Sequence, residues 1–557
     1  MGFRTTDPQR SLLESEFLLP AKKRRILEKS WAIPFRDEIL PLIDEELFRD
    51  AFKERGRPNV SIQMQVGLHI LKEWNDLTDE QVIENLQFNL QWHAALGLTA
   101  DTADISQKTL HNFRKRMLDL GLGRQIFETV TAGLVKKTGV SLAVQRLDST
   151  HVVSNIAKLS RLGLLTETVT HFLKDLRREH EALLSGVSKA LVERYLDREG
   201  YFADAKRDEV PRRLDRVSRD MLWLVQRFKE VEALHDFESF VIMQRVFGEQ
   251  CDVLESASAG KGGKRGKDAV RPREPREVGA DSVQSPHDPD ATYGHKGKGY
   301  EVQIAETCGE DEDLRLVTHV SVNGAHESDT HATVPVIEAL DKAGMKPEVI
   351  IADTAYGGGE NIVEAAKRDV ELVAPVQDPA KNEPRDNDVP CATDEPAPRP
   401  AGLAGWSFSS DFHKVLTCTA GQAPITAKRD GKFILAVFSA EHCADCPFAA
   451  GCPASKLRNG TRRLRKRPAA IATEVRQYEQ RQPSFKTRYK IRSGVESTNR
   501  EAKQRHGLAK PRVRGRARLE LAVHLKVLAL NAKRTCGYYL QLAAAEIRLE
   551  PQMALAG

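Results

Sequence analysis

Residues 347–359 read PEVIIADTAYGGG. The β-branched run Val349-Ile350-Ile351 is too short for a helix, so the spacing predicts a strand that delivers Asp353 at its end, ahead of a glycine loop and a helix. The segment VSLAVQRLD, Val140 to Asp148, follows the same plan and predicts a second buried strand ending in an acid. Further strands are predicted in GYEVQIAET (Gly299 to Thr307), LRLVTHVSV (Leu314 to Val322) and ELVAPV (Glu371 to Val376), with a helix near Thr330 to Lys342. Strands alternating with helices around two acids give an α/β order.

Working outward, Ser61 to Leu120 reads as helical, with Ile62, Val66, Ile70 and Trp74 four apart. Thr78 followed by Gln81 fits a capping box, and another helix is predicted from Ser106. That last helix carries Arg114, Lys115 and Arg116, which suits either a helix-turn-helix reader of DNA or the outer face of a plain bundle. Residues 1–135 are therefore expected as a helical N-terminal domain and 136–156 as the first strand of the core. A helical insertion is expected over 157–256, a flexible basic linker over 257–280 and the second part of the core over 281–377. An acidic, proline-rich linker over 378–402, a β-rich cysteine-bearing insertion over 403–470 and a C-terminal helical part over 471–550 complete the chain.

The 557 residues, 40% of them hydrophobic, suffice for several cores, and the overall charge of +5 says little. Its distribution says more. Lys456 to Arg518 holds 21 Lys or Arg against four acids, a density that suits a polyphosphate partner unless it is only a solvated face or a flexible arm. No apolar run approaches the ~18 residues of a membrane helix, and the start shows no apolar signal core, so the expectation is a cytoplasmic protein with no membrane partner.

An acid leaving a buried strand is costly unless paired or metal-bound, although such an aspartate also serves as an ordinary turn former. A third acid is more informative. Tyr489, Arg492, Glu496 and Lys503 stand at offsets that fall within roughly a 60° arc if one helix carries them all. Carboxylate and cations in one column suit a site for Mg²⁺ and the phosphate it activates; an isolated i,i+4 pair between Arg492 and Glu496 is the plainer alternative.

The pattern Y-x2-R-x3-E-x6-K, present as YKIRSGVESTNREAK from Tyr489 to Lys503, resembles the motif around the catalytic glutamate of bacterial insertion-sequence transposases of the DDE type. Asp148 in QRLDSTHV and Asp353 in IADTAYGG resemble that family's first and second acids, and Ser61 to Leu98 resembles the helical domain preceding the core in one large branch. The resemblance implies a ribonuclease H-like core, a mixed five-stranded sheet flanked by helices, although about 150 residues separate Asp148 from Gly299 where the family often has few. It implies Asp148, Asp353 and Glu496 as catalytic ligands of two Mg²⁺ (or Mn²⁺) ions roughly 3.5 to 4 Å apart. Arg492 and Lys503 would position phosphates and Tyr489 would contact the strand near the cut. The implied partners are the double-stranded inverted-repeat ends of the element and its target DNA. A homodimer on DNA and association with the bacterial nucleoid are implied as well. A DNA-binding regulator without catalysis and a stand-alone nuclease of the same fold are the competing readings.

Cys418, Cys443, Cys446 and Cys452 lie within 35 residues, and HCADCPFAAGCP contains a C-x2-C step that suits tetrahedral Zn²⁺, with His413 and His442 as substitute ligands. Reduced buried cysteines or a redox pair are the other readings. Gly357-Gly358-Gly359 lacks the lysine of a phosphate loop, so no nucleotide cofactor follows. His326, Glu327 and Asp329 read as a helix cap in preference to supporting groups of the site.

Overall fold

The computed structural model describes residues 1–6, 14, 17–156, 159–197, 206–254, 269–309, 313–377 and 402–554, the last nine by backbone alone. Most of the two expected linkers, 255–268 and 378–401, therefore lies outside the described residues. The remainder of the first one is ordered: β3 (Ala269–Pro272) pairs with β2 (Cys251–Leu254).

A mixed sheet organises the chain. β1 (Val144–Val153) lies between β5 (Gly297–Thr307), antiparallel to it, and β7 (Val349–Ile351), parallel to it; β8 (Glu371–Val373) continues in parallel beside β7. On the far side of β5 run β6 (Val317–Gly324) and the short β4 (Thr292–Gly294). The sheet thus has six strands where five are expected from the sequence. The extra one is three residues long and carries no periodicity of its own, because it exists only as the other arm of a tight turn into β5.

Each face of the sheet builds an apolar core, and so does the helical insertion. One face of the sheet, with Val302, Ile304, Val320 and Val322, packs in a single core with the N-terminal helices and with the long helix Arg516–Ala554. Asn531 on that helix clamps β6, donating to the Val317 carbonyl at 2.8 Å and accepting from its amide at 2.8 Å. The other face, with Leu147, Ala305 and Ile350, is covered by helices Thr333–Lys342 and Gly359–Ala366. The helical insertion keeps a core of its own, built by helices Arg161–Glu179, Val210–Phe228 and Glu238–Gln250 around Phe172, Phe228 and Phe240. Its separate core explains how so many residues fit between β1 and β5 without disturbing their pairing.

Local chemistry follows the sequence at the helix starts. Thr78 and Gln81 form the reciprocal capping box of helix Asp79–Phe88, and Ser106 caps helix Gln107–Asp119. The triple glycine is a packing device, since a Cβ on Gly357 would stand 1.9 Å from the Pro375 carbonyl oxygen and one on Gly359 2.1 Å from that of Ala469.

Candidate active site

β1 does not stop at Asp148 as its apolar run suggests. It continues to Val153, because Ser149 to Val153 still find partners on β5. Its parallel partner β7 ends earlier, with the pair Arg146↔Ile351. Asp148 and Asp353 each follow that pair by two residues, so the period of two brings both side chains out on one face at the carboxyl end of the parallel strands. This is where open α/β sheets place their ligand-binding groups.

The helix expected to run unbroken from Tyr489 to Lys503 is in three pieces: helix Pro483–Lys490, a 3-10 turn Ile491–Gly494 and helix Val495–Arg505. The break has a steric and ionic cause. Arg146, fully buried, sends Nη1 to the Ile491 carbonyl at 2.8 Å and pairs with the buried Glu306 at 2.7 Å. A Cβ on Gly494 would sit 1.9 Å from that same Nη1, so only glycine lets the turn close over the guanidinium. Glu306 also accepts from Thr498 at 2.7 Å and from Arg534 at 3.1 Å, which ties the turn, the following helix and the long helix to one carboxylate.

Across the break the motif still converges. The Arg492 guanidinium lies 3.0 Å from Asp148, 3.8 Å from Asp353 and 3.6 Å from Glu496, so one cation gathers three acids that are distant in the chain. Asn499 donates to the second oxygen of Asp148 at 3.0 Å. Burial pushes the Asp148 carboxyl above its ordinary range, with the Asp353 charge adding to the rise and the Arg492 charge opposing it. Arg492 is itself raised: burial works against its charge, but Asp148, Tyr489 and Asp353 outweigh it. Glu496 has a side chain 67% exposed and can swing, whereas that of Asp148, at 12%, is fixed.

Tyr489 stacks on Phe485 with ring centroids 5.8 Å apart, in a small core with Ile351 and Val373, and burial raises its phenol. Lys503 is half-buried on helix Val495–Arg505; burial and the nearby Lys296 ammonium lower it. Arg114, Lys115 and Arg116 do not join this site. Arg114 is paired with Asp79 at 2.6 Å, Lys115 with Asp119 at 2.7 Å, and Arg116 lies 4.8 Å from the centroid of the Phe52 ring.

Several participants escape the sequence reading. The Ser149 hydroxyl, on the opposite face of β1 from Asp148, lies within hydrogen-bonding distance of both Glu301 and Asp329, at 2.9 Å from each. Gln303 donates to Asp329 at 2.7 Å and accepts from the Tyr356 hydroxyl at 2.5 Å. Lys296 binds Glu301 at 2.9 Å. Burial alone would raise Glu301, but His151 and Lys296 hold it down at about 2. Asp329 thus joins the network on that opposite face, while capping falls to Ser328, which accepts from the Thr330 amide. The available signal is an acid at Glu301 and another at Glu306 inside an otherwise apolar strand, each of which needs a partner.

Among the described residues no trio of His, Cys, Asp or Glu stands at metal-holding spacing. At the acid cluster the reason is visible, since Arg492 occupies the place between the carboxylates. Two buried polar atoms there lack a hydrogen-bond partner, Oδ1 of Asn499 and Nε of Arg492. An unpartnered amide oxygen beside three carboxylates is a set of hard oxygen donors, which fits a cation of the Mg²⁺ or Mn²⁺ type.

Residues 277–532 match the transposase DDE domain family, and residues 23–116 match a second family described as a transposase domain. Both matches support a transposase of the DDE type. Members of the DDE family are DNA-cleaving and DNA-transferring enzymes that generally employ divalent metal ions. A Rhizobium meliloti protein described as uncharacterized protein ORF8 in nfe locus is 31% identical over 106 residues, which make up 19% of this chain and 51% of the relative. The chain therefore spans about half the length of that curated relative. No solved structure matches. Among the described residues no helix is long and apolar enough to cross a membrane.

Proposed function

We propose that this protein is a transposase that cleaves DNA at the ends of an insertion sequence and joins the freed 3′ ends to target DNA, with Asp148, Asp353 and Glu496 as its catalytic carboxylates. The carrying observation is the convergence of all three on Arg492. The strand order β6-β5-β1-β7-β8, with β5 antiparallel to its neighbours, supports a ribonuclease H-like core.

Asp148, Asp353 and Glu496 would hold the divalent ions, and the Asn499 amide oxygen is placed to assist. When bound, such ions lower the pKa of attacking water and stabilise the departing 3′ oxygen. The protein's own groups do the rest. Asp148 must be ionised to serve, and its burial means that ionisation is favoured by a cation close by. Arg492 supplies that cation in the free protein; when a scissile phosphate enters, the same guanidinium is within reach to grip nonbridging oxygens in a bidentate fork. Lys503, beside Lys296, adds positive charge on the same rim and suits the backbone flanking the cut. The Tyr489 ring is held by Phe485, so its hydroxyl lies at a defined point beside the acids, where it can touch the strand.

Glu496→Gln tests the assignment, because the exposed side chain leaves the fold untouched. The variant should bind end DNA as the wild type does and lose Mg²⁺-dependent nicking in a gel assay. A Glu496→Gln enzyme that still nicks would refute the role.

A further inference from the structure

The four clustered cysteines take no part in this chemistry, yet the fold assembles them. β9 (Ser407–Phe408) pairs with β10 (Val415–Thr417), and β11 (Thr426–Asp430), β12 (Phe433–Phe438), β13 (Ser455–Lys456) and β14 (Arg462–Lys466) form a second small sheet. Cys418 follows β10 in a tight turn closed by Gly421, whose amide donates to the Cys418 carbonyl at 2.8 Å and whose φ is +74°. Cys443 lies on the short helix Ala440–Ala444, Cys446 on the turn after it, and Cys452 just past a 3-10 turn. All four thiols, none in a disulfide, line one cavity of about 30 Å³ capped by Trp406 and Phe438.

We propose that this cavity is a structural Zn²⁺ site closed by the thiolates of Cys418, Cys443, Cys446 and Cys452. A space of that size admits one water or one ion, but thiols are poor partners for water, which requires two to four good ones. Four sulfurs are instead the soft donor set that selects tetrahedral zinc. The sulfurs line the cavity without yet meeting at a point, and a bound ion would draw them inward. Arg462, on the cavity wall with its guanidinium anchored to the Ala454 carbonyl at 3.1 Å, supplies positive charge next to what would be a doubly negative centre. Of the two substitute ligands, His413 does not line the cavity, whereas His442 does.

The insertion has a use for the ion. Its core is nine buried side chains, and one of these, Ile471, comes from the helix that follows the sheet. Cores this small are normally stapled by disulfides or metal. Cys418, Cys443 and Cys452 pack directly against it, so ligation would lock the turn after β10 onto the segment between β12 and β13.

The site is independent of DNA cleavage, and so is its test. Full-length protein purified without chelator should carry one zinc per chain by elemental mass spectrometry. Grown with Co²⁺ in place of zinc, it should show thiolate-to-cobalt charge transfer with the strong visible bands of a tetrahedral tetrathiolate. Cys446→Ser should drop the bound metal to less than about a tenth of an equivalent. Should that variant fail to fold, alkylation of the native wild type decides: the four cysteines should resist iodoacetamide until a strong chelator removes the metal. Protein free of zinc whose four cysteines alkylate at once, or a cobalt spectrum with fewer than four thiolates, overturns the proposal.

Discussion

The acid-bearing edge of the large sheet and the cysteine-bearing insertion solve the same problem in opposite ways. Each must hold chemically demanding side chains from distant parts of the chain at one point. At the edge, the framework is itself ionic and buried: Arg146, Glu306, Arg534 and Thr498 form a network beneath a sheet covered on both faces. In the insertion there are two small sheets and a nine-residue core, and the side chains to be gathered sit around a cavity. The edge keeps its acids together through the protein's own ionic contacts, whereas on our proposal the sparser insertion depends on the ion it binds. This contrast is testable from both ends.

The largest effect should come from Glu306→Ala. It strands the fully buried Arg146 beside Arg534, and breaking a buried pair of this kind costs about 3–5 kcal/mol. The urea midpoint should fall accordingly and nicking should vanish with it; an unchanged midpoint would mean the network does not hold the edge. Phe438→Ala empties the core of the insertion at a cost of about 3 kcal/mol, felt locally. Trypsin should then cut within the Arg462–Arg467 run while the rest of the chain resists. Cleavage spreading at equal rates into the large sheet would show that the two regions fold as one.

Next comes Glu301, whose carboxyl is held at about 2 against an ordinary 4.5. A depressed folded-state value contributes stability that is fully present above about 4.5 and is lost as the pH falls towards about 2. Glu301→Gln should therefore be less stable than wild type at pH 7, by on the order of 3 kcal/mol, with the gap closing on acidification. A gap independent of pH would remove Glu301 from the supporting network. The smallest effect is expected from Arg492→Ala, which frees the three carboxylates from their internal cation. Mn²⁺ binding in the absence of DNA, followed by paramagnetic resonance, should tighten by about tenfold, while nicking is lost. Because Arg492 opposes the rise of Asp148, the variant's Mn²⁺ binding should also fail at a higher pH on acidification than wild type's.

Much of the edge is legible in the sequence, and the reasons are local. Val349-Ile350-Ile351 and Leu147 mark buried strands by composition, and Asp148 and Asp353 stand out as charges just past them. What stays hidden depends on partners hundreds of residues away. Helical periodicity around Tyr489 cannot reveal that Gly494 must lie on Arg146, so the broken helix reads as whole. Strand periodicity likewise places the end of β1 at Asp148, because it registers apolar runs and is blind to the β5 backbone that keeps Ser149 to Val153 extended. Asn499 and Lys296 look like surface residues; only the fold brings them to the acids.

The pairing of Arg146 with Ile351 has one more consequence. With neighbouring strands about 4.8 Å apart, the distance between the first two acids is set by backbone hydrogen bonding and by counting two residues on each strand. Nothing that connects the strands enters that measure. Foreign protein spliced between β1 and β5 should leave the reactive centre intact, whereas deleting one residue ahead of Asp353 would turn its carboxylate to the wrong side of the sheet.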